Sequence, residues 1–205
     1  MYEAIDYFKL IKTDEFGYKS YSDEGLVFAA NILDKMNKLK DEFPVDYQQN
    51  IECIPGETCA KIFCKKDFLL YGEENNVPVY SNQWIPLVER CSIKEKLRLG
   101  ALLDKKCGGG QITHINIDKP FSTPEQAWRM LNTVAESGVI YFAFNTVMSE
   151  CKNKHVYYGD ICPECGCPTL EQYTRIVGFI TPIRTWSKER REEFPKRNFF
   201  VSENL

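Results

Sequence analysis

Residues 150–173 constrain this chain more than any other stretch. They hold Cys151, His155, Cys162, Cys165 and Cys167 among Gly, Pro and Tyr, with few aliphatic residues. Such a segment has too little apolar surface to bury a core, so something besides hydrophobic packing must hold it. The run Cys151-x3-His155-x6-Cys162-Pro163-Glu164-Cys165-Gly166 offers two close pairs of soft ligands. A tetrahedral zinc ion needs four such ligands, and a C-x2-C turn brings two thiolates to one ion. Four protein ligands close the coordination sphere, which makes such a zinc structural and not catalytic. The competing reading is a redox C-x2-C pair beside an unrelated His. Cys167 is a spare that could replace His155, although a single residue separates it from Cys165.

The chain has nine cysteines and only two histidines. An odd count cannot close wholly into internal disulfides, and 205 residues can bury a core without them. The scattered Cys53, Cys59, Cys64, Cys91 and Cys107 therefore read as buried thiols in a reducing compartment. A net charge of −3 argues against whole-surface attraction to nucleic-acid phosphates. No apolar run approaches the roughly 18 residues that a membrane-spanning helix requires. The N-terminus is acidic where a signal peptide is basic and has no apolar stretch behind it. These features predict a cytoplasmic chain with no membrane contact.

Leu26, Ala29, Ala30, Leu33 and Met36 recur at helical spacing and predict an amphipathic helix over 22–41, stopped by Pro44. Two further helices are expected at about 92–104 and 124–136. The second has Ser122 or Thr123 as N-cap, Pro124 in the first turn and Gly138 after the end. Short apolar runs such as 60–63 and 77–80, and the longer 139–147, read as strands. Strands alternating with helices predict a largely parallel α/β sheet. A composition shift places a domain boundary at about 148, with a strand over 175–183 and a short exposed helix beyond Trp186.

Gly178 lies within Arg175-Ile176-Val177-Gly178-Phe179-Ile180, and a glycine weakens a strand, so it asks for a reason. A bulge or a close backbone approach is the ordinary one. The alternative is radical storage. A Cα radical on glycine is planar and delocalised over the flanking amides, no Cβ opposes that planarity, and apolar Val177 and Phe179 would shield it.

Taken in order, Cys151…His155…Cys162-Pro-x-Cys165-Gly, then Arg175-Ile-Val-Gly178-Phe, then Trp186 and Glu192-Glu193-Phe194, resemble the C-terminal end of anaerobic ribonucleotide reductases. Those are glycyl radical enzymes. Upstream, Asn50-Ile-Glu52-x-x-Pro55-Gly56-Glu57-Thr58, Val79-Tyr80-Ser81-Asn82-Gln83, Gly108-Gly109-Gly110-x3-His114 and Tyr141-Phe-Ala-Phe-Asn145 resemble the family's barrel segments, in the same order. The resemblance covers about residues 45–197.

It implies the second half of a ten-stranded α/β barrel over 1–148, followed by a zinc-binding glycyl radical domain over 149–205. It implies that Gly178 stores the radical and that Cys151, His155, Cys162 and Cys165 hold zinc. The family reduces ribonucleoside triphosphates to deoxyribonucleoside triphosphates without oxygen. Its partners are an activating enzyme with an iron–sulfur cluster and S-adenosylmethionine, and an N-terminal part with a regulatory nucleotide site and the thiyl cysteine. A homodimeric assembly is implied as well.

None of Cys53, Cys59, Cys64, Cys91 and Cys107 matches the thiyl position, and Trp186-Ser187-Lys188 stands where the family has Trp-Asn. A split gene, a truncation or a fragment would each give such a chain, inactive alone. Asn82 is the expected substrate contact, since ligands bind beyond strand ends in α/β folds. Gly108–Gly110 are candidates for phosphate binding through free amides, and His114 reads as a core histidine. Two rival functions are a spare-part radical protein, opposed by residues 45–147, and a zinc-ribbon nucleic-acid module. The second is opposed by acids interleaved with the basic tail.

Overall fold

The structure is a computed structural model that describes residues 1–53, 56–72, 79–176 and 178–205. A short helix α1 (Tyr2–Tyr7) and an antiparallel hairpin, β1 (Ile11–Thr13) with β2 (Lys19–Tyr21), lead into the long helix α2 (Asp23–Glu42). The α2 N-terminus is capped by Ser22, whose side chain accepts from the Gly25 amide, and Asp23 and Glu24 favour its positive end. Ala29 and Leu33 face the core as expected, while Met36 is left exposed.

The run 60–63, expected as a strand, instead lies inside helix α3 (Glu57–Tyr71). A stretch as short as Ala60-Lys61-Ile62-Phe63 fits either element, and only its longer surroundings decide. The expected strand at 77–80 falls partly outside the described residues. Helix α4 (Ile93–Leu103) follows, capped by Ser92 through the Glu95 amide. It buries Leu99 and Leu103 with Tyr2, Ile5, Tyr21, Trp84 and Ile85 in the larger core.

Strand β3 (Thr113–Asn116), helix α5 (Pro124–Ser137) and strand β4 (Phe142–Asn145) form a β-α-β unit whose strands pair in parallel. Thr123 is the α5 N-cap and Gly138, at φ 89°, ends it in the left-handed conformation. Met130 and Val134 of α5 pack on Ile115 of β3 and on Ile117 just beyond it, forming the second core.

From Met148 onward the sheet is antiparallel, in the order β6-β5-β7-β8. Its strands are β5 (Met148–Cys151), β6 (Val156–Tyr157), β7 (Thr169–Arg175) and β8 (Ile180–Pro182). The expectation of a largely parallel sheet is therefore corrected. Among the described residues β3–β4 is the parallel pair, and the sheets are small and unclosed. The expected strand over 175–183 breaks at a bend between β7 and β8, because a hairpin needs a turn where a single strand was drawn.

Helix α6 (Lys188–Glu193) is not simply exposed. Arg190 and Glu193 are buried and paired, and Arg197 joins Glu193 at 3.0 Å. Beyond it, residues 198–205 run back along β3. The Phe200 amide donates to Asn116, the Asp118 amide donates to Phe200, and the Asn198 amide donates to Leu87. No helix among the described residues is long and apolar enough to cross a membrane.

Candidate metal centre and glycine hairpin

Cys151 closes β5, His155 follows the turn and immediately precedes β6, and Cys162 and Cys165 sit on the following loop. Local hydrogen bonds fold these positions together. The Lys154 amide donates to Cys151, the Cys151 amide to His155, the Cys162 amide to Cys167 and the Gly166 amide to Cys162. Lys154 and Gly166 take positive φ values of 66° and 67°, which makes both turns tight.

The four ligand atoms lie within 4.8 Å of one another. Cys151 Sγ is 3.7 Å from Cys165 Sγ, and Cys162 Sγ is 3.4 Å from His155 Nδ1. A tetrahedral zinc ion with ordinary bond lengths requires about 3.8 Å between two sulfurs and about 3.6 Å between sulfur and nitrogen. The donor set fits the metal. Glu164 Oε2 lies 3.5 Å from His155 Nε2, so a carboxylate faces the ring nitrogen that metal binding through Nδ1 leaves protonated. Cys167 stays outside the cluster, with its sulfur 3.8 Å from the Cys165 carbonyl oxygen. The buried cluster around these strands consists of Cys151, Tyr157 and Cys162, which is too little to hold the sheet by packing.

Gly178 sits on the bend of the β7–β8 hairpin, and Val177 lies outside the described residues. Its φ is not in the left-handed region, and a Cβ built on it would meet nothing within 4 Å. A close backbone approach, one of the two ordinary reasons for a glycine, does not account for it here. The expected apolar shield is also absent on one side, since Phe179 is 78% exposed.

The hairpin is fastened at its base. The Ile176 amide donates to Phe179, and Arg175 Nη1 donates to the Gly178 carbonyl. Arg197 Nη1 in turn donates to the Arg175 carbonyl at 3.2 Å, while its guanidinium lies over the Trp186 ring. Glu193 braces Arg197 from the other side.

The face of β3–β4 turned away from α5 carries a polar group that composition alone did not reveal. Asn145 Nδ2 donates to His114 Nδ1 and to Asn116 Oδ1, both at 3.0 Å. His114 is buried, and burial pushes its pKa down to about 4, with Lys96, Arg197 and Arg175 adding in the same sense. The imidazole is thus neutral near pH 7, and accepting at Nδ1 puts its proton on Nε2. The alternation His114-x-Asn116 was a signal that both side chains share one face. Lys96, buried beside them, carried no such signal.

Asn82 is half-buried on an irregular segment, and its main-chain carbonyl accepts from Gln83 and Gln111. Its side chain makes no hydrogen bond among the described residues. The Gly109 and Gly110 amides donate to Ile51 and Cys107, so neither is free to cradle a phosphate. Of the five scattered thiols, Cys64, Cys91 and Cys107 are buried, Cys53 is half-buried, and Cys59 is exposed.

A family profile described as anaerobic ribonucleoside-triphosphate reductase matches residues 1–200. Among solved structures, one titled "Anaerobic ribonucleotide reductase" is similar at a TM-score of 0.90 and 38% identity, covering 97% of this chain and 32% of the other. The Thermotoga maritima anaerobic ribonucleotide reductase with glycerol in the active site gives 0.82 and 37%, covering 93% and 31%. The same enzyme in complex with dATP and CTP gives 0.82 and 38%, with 93% and 31% covered. The chain thus spans about a third of the length of the structures it matches. No curated protein matches the sequence.

Proposed function

The chain belongs to the anaerobic ribonucleoside-triphosphate reductase family, and from that premise we propose that it is the part of such an enzyme that carries the stored radical. In this reading Gly178 loses one α-hydrogen atom to an activating enzyme that holds an iron–sulfur cluster and uses S-adenosylmethionine. The radical passes to a cysteine on a separate N-terminal part, which also carries the regulatory nucleotide site. The substrate is a ribonucleoside triphosphate and the product its deoxy form. Residues 1–148 are then the second half of the family's barrel and residues 149–205 the zinc-binding radical domain. The assembly is homodimeric and cytoplasmic.

The observation that carries the reading is Gly178 itself. It is a glycine on an apolar hairpin bend with neither a left-handed φ nor any neighbour that a methyl group would strike. A chemical need for an unsubstituted Cα accounts for it. Cys151, His155, Cys162 and Cys165 would hold the zinc, which contributes structure by tying the β5–β6 turn to the C-x2-C loop beside the hairpin. Arg175 and Arg197 position the glycine by holding the hairpin's carbonyl groups.

Exposed apolar side chains support a missing partner. On α3, Leu69 is 82% and Leu70 72% exposed, with Phe63, Phe68 and Tyr71 also bare. A spare-part protein would need only the radical domain, whereas the family match begins at residue 1. A nucleic-acid module is disfavoured because the basic tail is occupied. Lys188 pairs with Glu192, Arg190 and Arg197 with Glu193, and Arg184 with Glu171.

The test is spectroscopic. The chain, incubated without oxygen with the matching activase and the N-terminal part, should show a glycine-centred signal with one large α-hydrogen coupling. Exposure to air should then cut the backbone at Gly178. An unchanged signal in Gly178→Ala would overturn the assignment.

A further inference from the structure

Two cysteines outside the metal centre face each other across 54 positions of sequence. Cys53 Sγ lies 3.5 Å from Cys107 Sγ. The backbone holds them there. The Cys53 amide donates to Gly110 at 3.1 Å, the Gly109 amide donates to Ile51 at 2.8 Å, and Glu52 forms a parallel bridge with Gly110. Gly109 makes that approach possible, because a Cβ there would lie 2.8 Å from Glu52 Cβ and 3.1 Å from the Ile51 oxygen. Cys107 is buried in the larger core and Cys53 packs against it half-buried, which leaves the pair one open side.

We propose that Cys53 and Cys107 are a redox-active dithiol that closes to a disulfide when a peroxide reaches it, pinning the segment ahead of α3 to the Gly108–Gly110 turn. A disulfide needs its sulfurs about 2.0 Å apart, so the pair must close by roughly 1.5 Å, a distance that side-chain rotation covers. One sulfur donates to the other. The hydrogen bond between them favours the thiolate on Cys107 and raises Cys53, with nearby Asp104 opposing ionisation of both.

The Cys107 thiolate attacks one oxygen of hydrogen peroxide, the O–O bond breaks, and sulfenic acid and hydroxide form. Hydroxide takes the Cys53 proton and leaves as water. The Cys53 thiolate then displaces hydroxide from the sulfenic sulfur as the S–S bond forms. Two electrons have passed from the sulfurs to the peroxide. The zinc-site cysteines take no part.

The test uses the full chain, loaded with zinc and reduced without oxygen, then exposed to about one equivalent of hydrogen peroxide. Remaining thiols are alkylated before any reductant is added, and the digest is read by mass spectrometry. The expected result is one linked pair of peptides containing Cys53 and Cys107, lacking one hydrogen per sulfur, and separated again by a dithiol reductant. Exposed Cys59 should be found alkylated. The link should persist in Cys59→Ser, while in Cys107→Ser the Cys53 peptide should be recovered unlinked. Full alkylation of Cys53 and Cys107 after peroxide, or linkage of Cys53 to any other cysteine, would overturn the proposal.

Discussion

Two glycines meet opposite surroundings, and a methyl group distinguishes them. At Gly109 a Cβ would press on Glu52 and Ile51, so Gly109→Ala should cost roughly 1–3 kcal/mol in urea unfolding. At Gly178 the same change meets open space and should shift stability by no more than about 1 kcal/mol while abolishing the radical. A large destabilisation by Gly178→Ala would restore a purely structural role.

Protonation offers a second test at this scale. His114 has a folded pKa of about 4 against 6.5 for a free histidine, so the unfolded chain binds the extra proton. Its contribution is complete above pH 6.5 and is lost as pH falls toward 4, on the order of 3 kcal/mol. Buried Asp104 runs the other way. Burial pushes its pKa up to about 6 from 3.8, so it opposes folding above pH 6 and ceases to do so as pH falls through that range. The two slopes should nearly cancel. His114→Gln should grow more stable from pH 6 to 4 and Asp104→Asn less stable, as read from urea midpoints; parallel slopes would refute both assignments. Gly178 drew notice from its neighbours, while the radical reading came only from the order of motifs around it, and His114 with Asn116 could be placed on one face from strand alternation. The Cys53–Cys107 pair could not, because nothing local relates residues so far apart.

Elements with chemical punctuation were readable. Ser22, Ser92 and the Thr123-Pro124 start each mark a helix within a residue or so of where it begins, and Gly138 marks an end. Helix α3 was misread because the short stretch 60–63 matches both periods, and its N-cap is Gly56, which makes no side-chain cap hydrogen bond. The β7–β8 hairpin was read as one strand because Gly178 was taken as a strand interior. The sheet that carries the Cys151, His155, Cys162 and Cys165 cluster was flagged by what it lacked, and its stability should behave accordingly. The purified chain should carry about one zinc, and chelation or Cys162→Ser should speed amide hydrogen exchange across 148–182 while leaving α2, α4 and α5 protected. Unchanged protection after metal loss would show that hydrogen bonding alone holds the sheet.

At the scale of the whole molecule, the reading of this chain as part of a barrel implies a neighbour that covers its bare apolar faces. The bare apolar half of α3 and exposed Trp128, at 66%, predict that the isolated chain binds a hydrophobic dye and releases it when the N-terminal part is added. Alone, it should form no deoxynucleotide even after activation. Product from the chain by itself would mean that one of its own cysteines serves as the thiyl. Little of this larger scale could be read in advance, because burial depends on surfaces that meet only after folding. The clamp on the glycine hairpin has a consequence for biosynthesis. A chain growing on the ribosome is synthesised through β8 before Arg197 and Phe200 are added. Until then the hairpin lacks its brace and β3 lacks its cover, so the segment proposed to hold the radical is among the last to be secured.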